Sequence, residues 1–422
     1  MAGGETIHFP DHDQRGPSCA DPRGPDAGLA LAVVATHPVQ YQCPVWRLLA
    51  QSPDIKRLKV FFDSDFSVRG YQDVGFGSHV RWGADLLDGY SHESFGYGNS
   101  AVWYHLGSRA MVSALVGFRP DACLVNAYLP LTYLRTIAAC RRRRIPVVLR
   151  AEATDADRSR SSVVSRVRDA ALRMLYGHVS AFAAIGHNAK DHYLRLGVDP
   201  ARIVSSPYCV DSPRFAAQAR VARRGTERSR HGTPSDAFVV LFPGKLIPKK
   251  DPISLIRALQ GIPVIDGRPI HVWFLGDGEL RLQVEAAAAS AMPGRFRVLG
   301  FRPQEELGAV YADSDVVVLP SVERETWGLV VNEALTFGVP CVVSDRVGCA
   351  PDLVVHGVTG TVFAHGDPSG LRDSVLQVAS WLRSDREAVS RSCRERVARY
   401  SVDAAAVGIV KAAKIAVSGS SS

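Results

Sequence analysis

The sequence predicts an α/β protein made of two doubly wound, Rossmann-like halves facing across a cleft, and three observations predict it. Short, almost wholly apolar runs alternate with helix-length spacers, as strands buried on both faces of a parallel sheet require. The alternation occurs twice, on either side of an arginine-rich stretch at 216–236 that carries hardly a large apolar side chain. Nearly every run of the second series ends in a Gly, Pro or Ser turn followed by polar residues, the place where ligands bind in sheets of this kind.

Taken in order, residues 1–27 are rich in Gly, Pro and Asp and lack a basic leader, so a disordered tail is expected there rather than a signal peptide. The first half, 28–215, holds the runs LALAVVA (29–35), LKVFF (58–62), ACLV (122–125), IPVVLR (145–150) and AFAAIG (181–186). Residues 216–236 read as a linker or exposed loop. The second half, 237–398, holds FVVLFPG (238–244), IHVWFLG (270–276), RVLG (297–300), DVVVLP (315–320), PCVVS (340–344) and TVF (361–363). A closing helix is expected over 399–417, with Gly408 weakening its continuity, before a frayed end at 418–422. No repeat of solenoid period is present.

With 422 residues, 46% hydrophobic and 22% charged, the chain is not a peptide hormone, a fibre or a disordered regulator. Its formal charge of +8 suits a polyanionic ligand or an anionic membrane face as readily as nucleic acid. Eight scattered cysteines without a C-x-x-C pair indicate neither a zinc ribbon nor a disulfide framework. No run of 18 apolar residues offers a membrane span, and a cytoplasmic protein is expected.

The most informative stretch is PSVERETWGLVVNEALTFGVPCVVSD (320–345). Gly328 precedes a run of helix-compatible residues, Gly338 sits where a left-handed C-cap belongs, and Pro340 prevents continuation, which predicts a helix directly after a strand and loop. Its first free amides, from Gly328 and Leu329 to Val330, form an anion site. Glu325 lies before the helix and Glu333 on its second turn; carboxylates there suit neutral sugar hydroxyls better than phosphate. FPGKLIPKKD (242–251) places Gly244 where backbone can approach closely and Lys245 and Lys250 on one loop, which suits a diphosphate; Lys249 competes with Lys250 for that role. LGDGEL (275–280), with Gly276, is a strand-to-helix turn, and Phe301 and Arg302 after RVLG offer edges to a nucleobase.

In the first half, His37 and Gln40 follow the first strand within THPVQYQCPVW, Asn126 and Tyr128 follow ACLV, and Arg150 and Glu152 sit in RAEATD. These are acceptor-side candidates; a packed His37 and an Arg150–Glu152 ion pair are the structural alternatives. The aromatic-rich region 61–104 is expected to form acceptor-binding loops. RRRR (141–144) ends a helix, either favouring its dipole or meeting anionic lipid or an acidic acceptor. D-x-D strings at Asp63, Asp155 and Asp313 could hold a divalent ion, but the last reads better as a helix end and strand start. No G-x-G-x-x-G opens either half, which disfavours a dehydrogenase.

The spacing G-K-x4-K at Gly244, Lys245 and Lys250, then G-D-G, then Glu325 and Glu333 inside ExWGLVVNEALxxGxPxVxSD resembles the retaining glycosyltransferases of family 4, which have the GT-B fold. That resemblance covers 238–365. It implies transfer of a sugar from a UDP- or GDP-linked donor to an acceptor hydroxyl, in natural-product, glycolipid or polysaccharide biosynthesis, with no metal or other cofactor and no nucleic-acid partner. Lys250 and Lys245 would hold the donor diphosphate, Lys245 standing where arginine is usual. Glu325 would contact the donor sugar, Glu333 the ribose, and the amides of Trp327, Gly328 and Leu329 the phosphates. VGCAPDLV (347–354) resembles a GGxPE stretch with Cys349 for the second Gly and Asp352 for Glu. A nucleotide-sugar epimerase and a catalytically silent nucleotide-sugar-binding protein are the alternatives on the same architecture.

Overall fold

A computed structural model describes residues 28–73, 78–80, 84–96, 108–155, 162–222 and 224–419. The tail 1–27, parts of the aromatic-rich region and the last three residues of the expected frayed end lie outside the described residues. The strands are β1 (Ala30–Ala35), β2 (Arg57–Phe62), β3 (Tyr71–Asp73), β4 (Ser78–Val80), β5 (His92–Ser94), β6 (Ala122–Val125), β7 (Val147–Leu149), β8 (Ala181–Ala184) and β9 (Ile203–Ser205) in the first half. The second half holds β10 (Phe238–Pro243), β11 (Val264–Ile265), β12 (Arg268–Leu275), β13 (Phe296–Val298), β14 (Val316–Leu319), β15 (Cys341–Ser344) and β16 (Gly360–Phe363).

The first sheet runs β5-β2-β1-β6-β7-β8-β9 and is parallel throughout. The second runs β11-β12-β10-β14-β15-β16, with β13 also on β12, and only β11 is antiparallel. β1, β6, β8, β10, β14 and β15 are buried along their whole length, which is why each reads as an unbroken apolar run. Strand order reverses between β1 and β6 in one sheet and between β10 and β14 in the other. A crevice opens beyond the carboxyl ends of the strands at each reversal.

Three features differ from expectation. The stretch 216–236 is no exposed linker: it contributes to the helices Ser212–Val221 and Thr226–Arg230, and Arg228 and Glu227 are buried. Arg228 is held because its guanidinium donates to Ala237 O (2.6 Å), Asp313 O (2.7 Å) and Asp315 Oδ2 (2.9 Å). Asp313 closes a helix and Asp315 precedes β14, and both are buried among arginines and backbone amides. The closing helix begins later, at Val402–Ser418, after a long helix Pro368–Ala398, and it packs back on the first domain. Gly408 does not interrupt it. A Cβ there would lie 2.1 Å from Ser205 O, so glycine lets this helix lie directly on the end of β9.

Candidate active site

The β10 and β14 loops meet at the reversal point of the second sheet. Gly244 leaves β10 with φ +154°, its N–H donating to Leu275 O (2.9 Å), and Leu246 N–H donates to Asp277 O (2.9 Å). A Cβ on Gly276 would fall 2.0 Å from Gly244 O and one on Gly278 2.5 Å from Leu246 O. Only glycine lets the loops after β10 and β12 close into one wall. The wall leads into the turn Pro248–Lys250, and Asp251 caps the next helix by accepting from Ser254 N–H (3.2 Å).

That turn separates the two lysines. Lys250 Nζ contacts Glu325 Oε2, with the side chains 14% and 18% exposed, while Lys249 faces the space between the domains. Ser321 Oγ donates to the same Glu325 oxygen (3.3 Å). Glu325 is fixed through its backbone: its N–H donates to Arg346 O and its carbonyl accepts from Gly348 N–H, both 2.9 Å. A Cβ on Gly348 would lie 2.1 Å from Thr326 O, so the close approach survives despite Cys349. Lys245 is half-buried on the same β10 loop.

Gly328, at φ +97°, starts the helix Leu329–Thr336, whose N-terminal amides and dipole favour an anion. Glu333 is half-buried on its second turn and accepts from Tyr311 O–H (2.6 Å); desolvation pushes its carboxyl up to about 7. The Trp327 side chain is not exposed at this site. Its ring is buried against Tyr208 of the first domain and Tyr400, with Nε1 donating to Asn332 Oδ1 (2.8 Å). Phe301 is 40% exposed, and Arg302 is drawn to Glu306 (2.7 Å) and Glu227 (3.9 Å).

At the reversal point of the first sheet, Thr36 N–H donates to Tyr133 Oη (3.2 Å) and His37 Nδ1 lies 3.0 Å from Thr36 Oγ1, its ring leaning on Phe66. Gln40 is half-buried in the following turn. Asn126 is buried and donates to Gln42 Oε1 (3.3 Å), leaving its own Oδ1 without a partner among the described residues. Tyr128 and Glu152 line the space between the domains, and Glu152 accepts from Tyr208 O–H (2.8 Å). Arg150 does not reach the cleft mouth and does not bond to Glu152. It is 2% exposed and donates to Ser206 O (3.3 Å), Ser206 Oγ (3.1 Å) and Pro207 O (2.8 Å), tying β7 to the chain that leaves β9.

The two sets of strand ends enclose a cavity of about 840 Å³ lined by Tyr128, Glu152 and Thr154 on one side and Lys249, Arg324 and Thr326 on the other. Arg324 donates to Thr154 Oγ1 across it. Asn188 Nδ2 donates to Gly348 O (3.0 Å), and Asp352 accepts from His187 N–H (3.1 Å) and Tyr400 O–H (3.2 Å) with His187 Nδ1 at 2.8 Å. Sequence reasoning missed Arg324, Thr326 and the His187–Asp352 latch. The first two flank Glu325, and alternation along that loop was the available signal. Among the described residues no group of three or more His, Cys, Asp or Glu converges as metal ligands would.

Two family models match the chain: Glycosyl transferases group 1 over residues 223–395 and Glycosyl transferase 4-like domain over 76–209. A D-inositol 3-phosphate glycosyltransferase of Corynebacterium efficiens is 38% identical over 160 residues, covering 36% of this chain and 37% of that one. Sulfoquinovosyl transferase SQD2 of Arabidopsis thaliana is 33% identical over 204 residues, covering 47% and 36%. The chain thus spans less than half the length of these curated relatives. The solved structure of Anabaena HepE in complex with UDP and glucose superposes with TM-score 0.63 at 18% identity, over 91% of this chain and 98% of that one. At that identity the likeness is one of fold.

Proposed function

Because the chain belongs to the family 4 glycosyltransferases and has the GT-B fold, we propose that it transfers a sugar from a UDP- or GDP-linked donor to an acceptor hydroxyl, with retention at the anomeric carbon. The observation that carries this reading is the contact of Lys250 with Glu325 across the β10/β14 reversal point. An ammonium on one loop and a carboxylate on the other answer the two halves of a sugar nucleotide, anionic diphosphate and neutral hydroxyls. Without donor they satisfy each other.

In the proposed reaction the bond from the anomeric carbon to the β-phosphate oxygen breaks as the acceptor oxygen bonds to the same face of that carbon. The acceptor proton passes to the departing phosphate oxygen. Lys250, Lys245 and the amides of Gly328 and Leu329 stabilise the negative charge that grows on the diphosphate. Glu325 accepts hydrogen bonds from the donor sugar and Glu333 from the ribose. Tyr128, Glu152 and Thr154 position the acceptor, since they line the opposite side of the cleft. The charge is carried by side chains and amides, so no metal or other cofactor is assigned; excess chelator should leave turnover unchanged. The reading places the protein in the cytoplasm, where its seven described cysteines, all buried thiols, stay reduced. Within the described residues no helix is long and apolar enough to cross a membrane.

The test is a screen of UDP- and GDP-sugars by nucleotide release, with the anomeric configuration of the product read by NMR. Release that depends on acceptor, with retained configuration, is expected. Conversion of the sugar nucleotide alone would instead identify an epimerase, and donor binding without release a silent binding protein.

A further inference from the structure

The cleft cavity does not end at the catalytic loops. Beyond Thr154 it runs between the helices Leu131–Arg142 and Ser162–Tyr176, where its lining turns apolar: Leu129, Leu134, Leu172, Met174 and Leu175. Leu134, Leu175 and His178 also line a second hollow of about 360 Å³, which continues past Ile137 and Ala138 to Arg141 and Arg142. The two hollows form one groove from the sugar-transfer site to the basic end of the Leu131–Arg142 helix.

Its chemistry is uneven along its length. Leu129 is 66% and Met174 69% exposed, an apolar surface left open beside a cavity. Lys249, Arg324 and Arg168, which donates to Thr154 O (3.3 Å), stand at the inner end and Arg141 and Arg142 at the outer, while Glu152, the only carboxylate on either lining among the described residues, accepts from Tyr208. Arg141 is set by its contact with His178 (3.0 Å). The cationic inner end and the apolar stretch beyond it complement a molecule with an anionic head and an apolar chain. A twelve-residue helix runs ~18 Å, about the reach of a dodecyl chain.

We propose that the acceptor is an anionic amphiphile: its head lies in the cleft near Lys249 and Arg324, and its apolar chain lies in the groove between the Leu131–Arg142 and Ser162–Tyr176 helices. The proposal rests on the glycosyl-transfer reading and assigns the acceptor class for that same site. The groove explains why apolar side chains stay exposed beside the cleft. Thr154, Tyr128 and Glu152 then lie at the junction of head and chain, where the reacting hydroxyl must be presented.

The test uses the full chain with monomeric dodecyl phosphate and butyl phosphate as probes, each titrated by calorimetry, and UDP and GDP titrated on the same samples. Dodecyl phosphate should bind saturably at one site and at least ~100-fold more tightly than butyl phosphate, since each buried methylene is worth about fourfold. Ala171→Trp fills the groove and Met174→Glu charges it, and both positions are exposed, so folding is spared. Each should weaken dodecyl phosphate by ~10-fold or more while leaving butyl phosphate and nucleotide affinities unchanged. Equal affinity for the two alkyl phosphates, indifference to both substitutions, or binding to phosphatidylglycerol vesicles without saturable binding of the monomer would each overturn the proposal. Failure of UDP and GDP to bind would instead strike the sugar-transfer reading, which keeps the two failures apart.

Discussion

Replacing Lys250 with methionine tests the site most sharply, because the unbranched stem is nearly kept while the ammonium, with its charge and its donors, is removed. Two costs follow from the geometry. The Lys250–Glu325 pair is 14% and 18% exposed, between the surface case worth up to ~1 kcal/mol and the buried case where removing one partner costs ~3–5 kcal/mol, so about 2 kcal/mol of stability is expected to be lost. Among the described residues, the Glu325 carboxylate would keep only the long bond from Ser321 Oγ at 3.3 Å. The larger effect is on the reaction: losing one oriented charge on the leaving group should lower turnover by ~100- to 1,000-fold, or about 2.7–4 kcal/mol. Nucleotide release measured well below the melting temperature separates the two. Glu325→Ala should fall at least ~100-fold as well, and the double variant should lose far less than the product of the singles, since both groups act on one bound donor. Turnover within about threefold of the parent in Lys250→Met would refute the assignment, because a contact worth so little is not a transition-state contact.

Gly276→Ala puts a methyl 2.0 Å from Gly244 O at a φ of +148°, so it should part the loops after β10 and β12, costing ~1–3 kcal/mol in melting experiments and, on the proposed function, raising the donor KM; a variant with parental KM and stability counts against the closed wall. Glu333 keeps its proton up to about 7 against 4.5 ordinarily, so its contribution to stability is full below pH 4.5 and is lost as pH rises through 7. Urea unfolding should show Glu333→Gln gaining on the parent across that window, by up to ~3 kcal/mol; a constant difference from pH 4.5 to 8 would contradict the burial argument. Asp315 is fully buried and meets Arg224 (2.6 Å), Arg228 (2.9 Å), Arg268 (3.2 Å) and Arg386 (2.5 Å), so Asp315→Asn should cost ~3–5 kcal/mol, and a loss under ~1 kcal/mol would show that the cluster does not hold the 224–230 segment.

The two sheets were legible in the sequence for a physical reason: strands covered on both faces cannot carry polar residues, so β1, β6, β10, β14 and β15 stand out as apolar runs. β5 and β9 were not legible, being three-residue edge strands with polar members. The Glu325 and Lys250 loops could be placed because glycines and prolines fix where strands stop. Composition misled at 216–236, where arginine content suggested solvent although Arg228 is buried by carboxylates some 85 residues later in the chain. Arg150 misled in the same way: position after a strand does not reveal that Ser206 and Pro207 wait for its guanidinium. The choice between Lys249 and Lys250 likewise needed the turn itself, since one faces the cleft and the other Glu325. The groove was invisible for a different reason, because an apolar residue on a helix reads as core whether or not anything covers it.

The most direct measurement is a crystal structure of the protein with a nonhydrolysable UDP- or GDP-sugar. The diphosphate is expected within hydrogen-bonding distance of Lys250, Lys245 and the amides at the start of the Leu329–Thr336 helix, with Glu325 released from Lys250 onto the sugar. A donor bound away from the β10/β14 reversal point, or one seated there with the Lys250–Glu325 pair intact, would contradict it.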